Sequence, residues 1–82
     1  MSDVPLKLRE LRRILTRFGI AEDPSRGKGS HTLFHATIDG RAVSFPLPTS
    51  RDDINAAYIR AVRKKFHLTP QFGVSDREFY HG

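Results

Sequence analysis

His31-Thr32-Leu33-Phe34-His35-Ala36-Thr37-Ile38-Asp39-Gly40-Arg41-Ala42-Val43-Ser44-Phe45-Pro46-Leu47-Pro48 is the stretch on which the fold turns. Asp39-Gly40 is a strong two-residue turn signal, because the tightest hairpin turns need residues that tolerate positive φ. With those two residues as the loop, Ile38 pairs with Arg41, Ala36 with Val43 and Phe34 with Phe45. The twofold period of a strand puts Phe34, Ala36, Ile38, Val43, Phe45 and Leu47 on one face. His31, Leu33, His35, Thr37, Ala42 and Ser44 fall on the other. The first set makes a core wall, and the second is half polar and predicts an open face. Pro46 and Pro48 are expected to end the hairpin.

Amphipathic segments flank this hairpin. Leu8, Leu11, Leu15 and Phe18 recur at helical spacing, with Ile14 widening the stripe. The pattern predicts a helix over 5–18, with Pro5 in its first turn, Ser2 or Asp3 as cap and Gly19 just past its end. Residues 20–26 read either as a short edge strand or as irregular chain around Pro24. After the hairpin, Thr49, Ser50 or Asp52 is expected to cap a second helix, with Asp52 and Asp53 in its first turn. Ile54, Ala57, Tyr58, Ala61, Val62 and Phe66 form the expected apolar stripe, and Thr69-Pro70 the stop. The segment 69–82 carries Phe72, Val74, Phe79 and Tyr80, which is too aromatic for an inert tail and suits packing back or docking on a partner. Two amphipathic helices need an apolar wall, and the sheet offers one. The expected fold is therefore α+β, a two-layer sandwich of order αβββα. A three-stranded antiparallel sheet carries both helices on one face. Its 82 residues form one domain, with a core over about 5–68 and a C-terminal extension over 69–82.

Charge narrows the partners. Lys and Arg number 14 against 9 Asp and Glu, a net charge of +5. The excess clusters on the two helices and one loop, which favours a polyanion, with nucleic acid foremost. Arg60, Arg63 and Lys64, near the end of the second helix, can supply phosphate contacts, or stand as a solvated helix face. The absence of cysteine excludes disulfides and thiolate metal sites. Four histidines without nearby paired carboxylates make no metal site, and no cofactor is expected. No apolar run is long enough for a membrane span. The opening Met1-Ser2-Asp3-Val4-Pro5 lacks the charged and apolar regions of a signal peptide, so a cytoplasmic location is expected.

The chemistry is expected in the loop before the hairpin. Gly27 and Gly29 bracket Lys28, and Ser30 and His31 follow at once. Such a loop can bring backbone N–H groups, a positive charge, a hydroxyl and an imidazole to one phosphate. Imidazole is the side chain best suited to moving protons near neutral pH. The plain alternative is a histidine that opens a strand and a lysine that is merely solvated.

These residues resemble a known family. Leu8-Arg9-Glu10-Leu11, Phe18-Gly19-Ile20, Gly29-Ser30-His31, Phe34 and the Asp39-Gly40 hairpin running to Pro46 look like the HicA-type mRNA interferase toxins. The resemblance covers residues 6–48. It implies a double-stranded-RNA-binding-like fold, metal-independent cleavage of mRNA, and neutralisation by an acidic HicB-like antitoxin. It also implies that His31 is the catalytic residue. The ribose 2′-OH would then be the nucleophile, with His31 moving its proton and Lys28 and Arg26 offsetting charge on the phosphate. His35 shares the predicted face and is a candidate acid. Many family members carry a histidine directly after the proline ending the third strand; here Leu47 and Pro48 follow Pro46. That departure keeps open a non-catalytic RNA- or DNA-binding module of the same fold, and the C-terminal aromatics keep open a protein-interaction domain that docks an acidic partner.

Overall fold

The computed structural model describes residues 3–24 and 29–82. Its elements, in chain order, begin with β1 (Leu6–Lys7), α1 (Leu8–Arg17) and β2 (Ala21–Asp23). Next come β3 (His31–Ile38), β4 (Arg41–Pro48) and β5 (Asp53–Ile54), followed by α2 (Ala56–Lys65), a 3₁₀ turn (Pro70–Phe72) and α3 (Asp76–His81).

The hairpin has the expected register. Ile38 faces Arg41, Ala36 faces Val43 and Phe34 faces Phe45. Asp39 and Gly40 take φ of 51° and 77°, the pair of left-handed residues that a type I′ turn needs. β2 pairs antiparallel with the other side of β3, giving a three-stranded sheet of order β2-β3-β4. β4 runs through Pro46 to Pro48 instead of ending at the first proline. It is an edge strand, where a residue without an N–H can stand on the unpaired side.

Alternation sets the core as expected. Phe34 and Leu47 are buried, and Ala36, Ile38, Val43 and Phe45 pack half-buried against the same cluster. Leu8, Leu11, Ile14 and Leu15 of α1 close over this wall. The end of α1 is a Schellman cap. Gly19 sits at φ 80°, its N–H donates to the Thr16 carbonyl at 3.0 Å, and the Ile20 N–H donates to that of Leu15 at 2.9 Å.

Both helices start later than their sequence signals suggest. Leu6 and Lys7 are extended and pair with Ile54 and Asp53, so Pro5 precedes a strand and not a first helical turn. α1 begins at Leu8, where the backbone N–H of Lys7 reaches Glu10 Oε1 at 3.1 Å. Asp53 is likewise in a strand, and α2 is capped by Asn55, whose Oδ1 accepts the Tyr58 N–H at 3.0 Å. Thr49, Ser50 and Asp52 are not its cap. The buried face of α2 is Ile59, Val62, Arg63 and Phe66, while Ala57 and Ala61 are exposed. The expected stripe was rotated because the small alanines offer little apolar area, and because an arginine lies within the true face.

α2 ends at Lys65, before Thr69-Pro70. The His67 N–H donates to the Lys64 carbonyl at 3.3 Å and the Leu68 N–H to that of Arg63 at 2.7 Å. This is a second Schellman cap, with a histidine at φ 57° where glycine is usual. An L side chain there costs on the order of 1–2 kcal/mol.

The aromatic segment after α2 packs back. Phe79 of α3 is fully buried and lies 6.2 Å from the Phe18 ring, nearly parallel to it. The Tyr80 hydroxyl donates to Asp3 Oδ1 at 2.8 Å. Phe79 thus joins the core cluster, with Val74 and Tyr80 packed partly buried against it. Among the described residues, no helix is long and apolar enough to cross a membrane.

Candidate active site

His31 opens β3 opposite Pro48, the last residue of β4. Its backbone position is fixed on both sides. The Thr49 N–H donates to the Ser30 carbonyl at 2.8 Å, and the hydroxyls of Thr32 and Thr49 meet at 2.8 Å. Thr32 is buried, so this hydroxyl pair satisfies polar groups shielded from water while it clamps the two strand ends together. Ser30 Oγ lies 3.4 Å from His31 Nδ1.

The half-buried imidazole lines a cleft of about 440 Å³ with Ser30, Pro48, Ser50, Arg51, Asn55 and Tyr58. Tyr58 reaches its wall because its ring meets Phe45 edge to face, at 6.5 Å and 88°, joining α2 to β4. Asp53 also lines the cleft, but its carboxylate is held by Lys7 Nζ at 2.7 Å. That bond and the Asp53 charge raise the Lys7 pKa, keeping the ammonium as the neutralising partner. Asp53 is thus a poor competitor for the role of base.

The electrostatics favour an anion in this cleft. Arg51 is exposed at its rim. Asn55 caps α2 and Tyr58 lies in its first turn, where the backbone N–H groups carry partial positive charge. That turn contains no acidic residue to offset the charge. The cleft therefore brings together a proton-transfer group, a cation, hydroxyls and a helix N-terminus. Such a set suits a phosphodiester.

The remaining expected site residues divide. Arg26 and Lys28 lie outside the described residues. Arg60 and Lys64 are exposed, but they line a different groove with His67, Thr69, Pro70, Gln71 and Phe72. Arg63 is a correction: it is 2% exposed and cannot present its guanidinium to RNA. Its Nη1 donates to Asp3 at 2.7 Å and Asp76 at 2.8 Å, and its Nε to the Leu68 carbonyl at 2.8 Å. His35 lies on the same sheet face as His31 and lines an open groove with Leu33, Thr37, Ala42 and Ser44. His31 and His35 stand four positions apart, about 13 Å along β3, so they cannot serve one phosphate. Among the described residues, no three His, Asp or Glu side chains gather to hold a metal ion.

Arg51, Asn55 and Tyr58 are the site residues that sequence reasoning missed. Asn55 carried a local signal, an N-cap side chain before a helical run, but three earlier cap residues masked it. Arg51 carried none, since its place depends on how the β4–β5 connection returns to β3.

Comparison with known proteins adds no relative: no family model, curated protein or solved structure matches this chain.

Proposed function

We propose that this chain is a HicA-type toxin, an endoribonuclease that cleaves mRNA without a metal and is held in check by an acidic HicB-like antitoxin in the cytoplasm. The observation that carries the reading is the cleft at His31, where an imidazole, Arg51 and the N-terminus of α2 converge. In this scheme neutral His31 takes the proton of the ribose 2′-OH. The 2′-oxygen attacks the adjacent phosphorus, the bond to the 5′-oxygen breaks, and that oxygen takes a proton from solvent water as it leaves. Arg51 and the loop N–H groups offset the charge that grows on the phosphate. Arg26 and Lys28 follow from the sequence motif as further phosphate contacts.

A non-catalytic RNA-binding module is the second reading, favoured by one observation: among the described residues, no second imidazole lines the His31 cleft. A single assay separates the two. Purified wild type and His31→Ala are incubated with a defined RNA, with and without EDTA, after circular dichroism shows equal folding. The nuclease reading expects cleavage by wild type in both conditions, and a loss of about 10²- to 10⁴-fold in the variant. Equal cleavage by both proteins removes His31 from the mechanism. RNA bound but uncut by both leaves the binding module.

A further inference from the structure

Phe72 is one of the few large apolar side chains left in solvent, at 46% exposure. One face of its ring is covered by the His67 imidazole, with centroids 3.9 Å apart and planes within 3°. The turn that carries it is closed by backbone hydrogen bonds. The Phe72 N–H donates to the Thr69 carbonyl at 2.9 Å, and Gly73, at φ 89°, closes the 3₁₀ turn with an N–H bond to Pro70 at 3.0 Å. His67 holds its place in a left-handed conformation that a glycine would take without strain. A costly backbone position is thus occupied by the one side chain that backs the Phe72 ring.

The same groove is cationic. Arg60 and Lys64 stand one helical turn apart on its wall; among the described residues no Asp or Glu lines it, and the nearest to its lining is Asp39, whose Oδ2 lies 3.7 Å from His67 Nδ1. α2 contains no Asp or Glu at all, so neither cation has an intrahelical partner. A flat, pre-stacked aromatic platform beside two like charges is the arrangement that binds single-stranded nucleic acid. A base stacks on the open ring face while successive phosphates meet the cations. A polar side chain, Gln71, stands at the same edge.

We propose that Phe72, backed by His67 and flanked by Arg60 and Lys64, forms a second subsite that stacks one base of single-stranded RNA. It is separate from the His31 cleft, with which it shares no lining residue. The proposal rests on the RNA reading above and adds to it a station that holds the strand without cutting it. Stacking reads a base's π-face and not its sugar, so single-stranded DNA should engage the subsite as well.

The chain has no tryptophan, so Phe72→Trp creates a sole fluorophore at the platform. Titration with a short oligouridine should quench that fluorescence, because a base lies on the ring. Binding is measured in the His31→Ala background, to keep the RNA intact. Phe72→Ala should weaken affinity about tenfold, with the salt dependence unchanged, while Phe72→Tyr restores it. Arg60→Gln with Lys64→Gln should lower the salt slope by about 1–2. His67→Gly keeps the cap and removes the backing ring, and should weaken RNA binding without lowering stability. Oligothymidine should quench to a similar extent. The proposal is overturned if Phe72→Ala binds oligouridine as wild type does, if Phe72→Tyr is as weak as Phe72→Ala, or if poly-glutamate quenches the tryptophan equally. RNA cleavage that depends on His31, alongside an unaffected Phe72→Ala, sinks only the subsite. Failure of the wild type to bind RNA at all sinks both readings.

Discussion

Arg63 is the residue on which three distant parts of the chain converge. Its guanidinium joins Asp3 near the N-terminus to Asp76 at the start of α3, and it lies 4.6 Å from the Phe79 ring and 5.5 Å from that of Tyr80. A buried ion pair is costly to assemble but more costly to break, because the surviving partners remain desolvated. Arg63→Ala is expected to cost about 3–5 kcal/mol in urea unfolding. Arg63→Lys should recover only part of that, since an ammonium cannot reproduce the fork that serves Asp3, Asp76 and Leu68 together. The cluster also predicts pH dependence. Burial pushes the Asp3 carboxyl up, but bonds from Arg63 and Tyr80 outweigh it and hold the pKa below its ordinary value of 3.8. A depressed folded pKa stabilises the protein above the unfolded value and loses that contribution as pH falls through the folded one. Asp3→Asn should therefore flatten the acid limb of stability below about pH 4. Tyr80 behaves oppositely: burial, and the bond to Asp3, raise its pKa above 10.0. Its contribution is intact below the unfolded value and disappears as pH climbs through the folded one, so Tyr80→Phe should soften the alkaline limb. Thermal unfolding from pH 2 to 11 measures both effects.

At the scale of elements, local signals were legible and distant ones were not. Asp39-Gly40 and strand alternation set the hairpin register because both act within a few residues. The conformational demand is testable: a Cβ at Gly40 meets nothing within 4 Å, so Gly40→Ala isolates the cost of φ 77° in an L residue. A loss of about 1–2 kcal/mol of unfolding free energy is expected, with no change in the core. Asn55→Ala should cost about 1 kcal/mol by freeing the Tyr58 N–H at the α2 cap. It should also loosen the wall of the His31 cleft. The face of α2 escaped sequence reasoning because Arg63 reads as a surface residue until its partners, 60 and 13 residues away, are known. The β1–β5 pair escaped it too, since two residues per strand carry no period. α3 did carry a signal: Ser75 precedes Glu78 by three residues, and its Oγ accepts the Glu78 N–H at 3.0 Å. For the candidate site, His31 and Ser30 were legible from a contiguous motif. Arg51 and Tyr58 were not, because the cleft is assembled from segments that meet only after β4 turns back.

Across the whole molecule, the candidate site and the Arg63 cluster lie at different ends of α2. The His31 cleft is built by the strand ends and the start of α2, while α3 and the Arg63 cluster lock the opposite part of α2. A domain this small depends on every buried aromatic, because total stability is typically only about 5–15 kcal/mol. Phe79 is fully buried between Phe18, Tyr80 and the Arg63 guanidinium. Phe79→Ala should cost about 3–5 kcal/mol, as large buried aromatics do when truncated. A chain ending at Leu68 loses Phe79 and also strips Arg63 of Asp76, so the two penalties combine on one site and need not add. That truncated chain is expected to lose cooperative unfolding at 37 °C, although residues 6–48, which carry the toxin resemblance, are all retained. Full-length Phe79→Ala at low temperature should still fold and, in the nuclease reading, keep its His31-dependent cleavage. Urea unfolding of the two proteins beside wild type, followed by near-ultraviolet circular dichroism, measures this. A truncated chain with the wild-type urea midpoint would show that α3 only decorates a core already complete at Leu68.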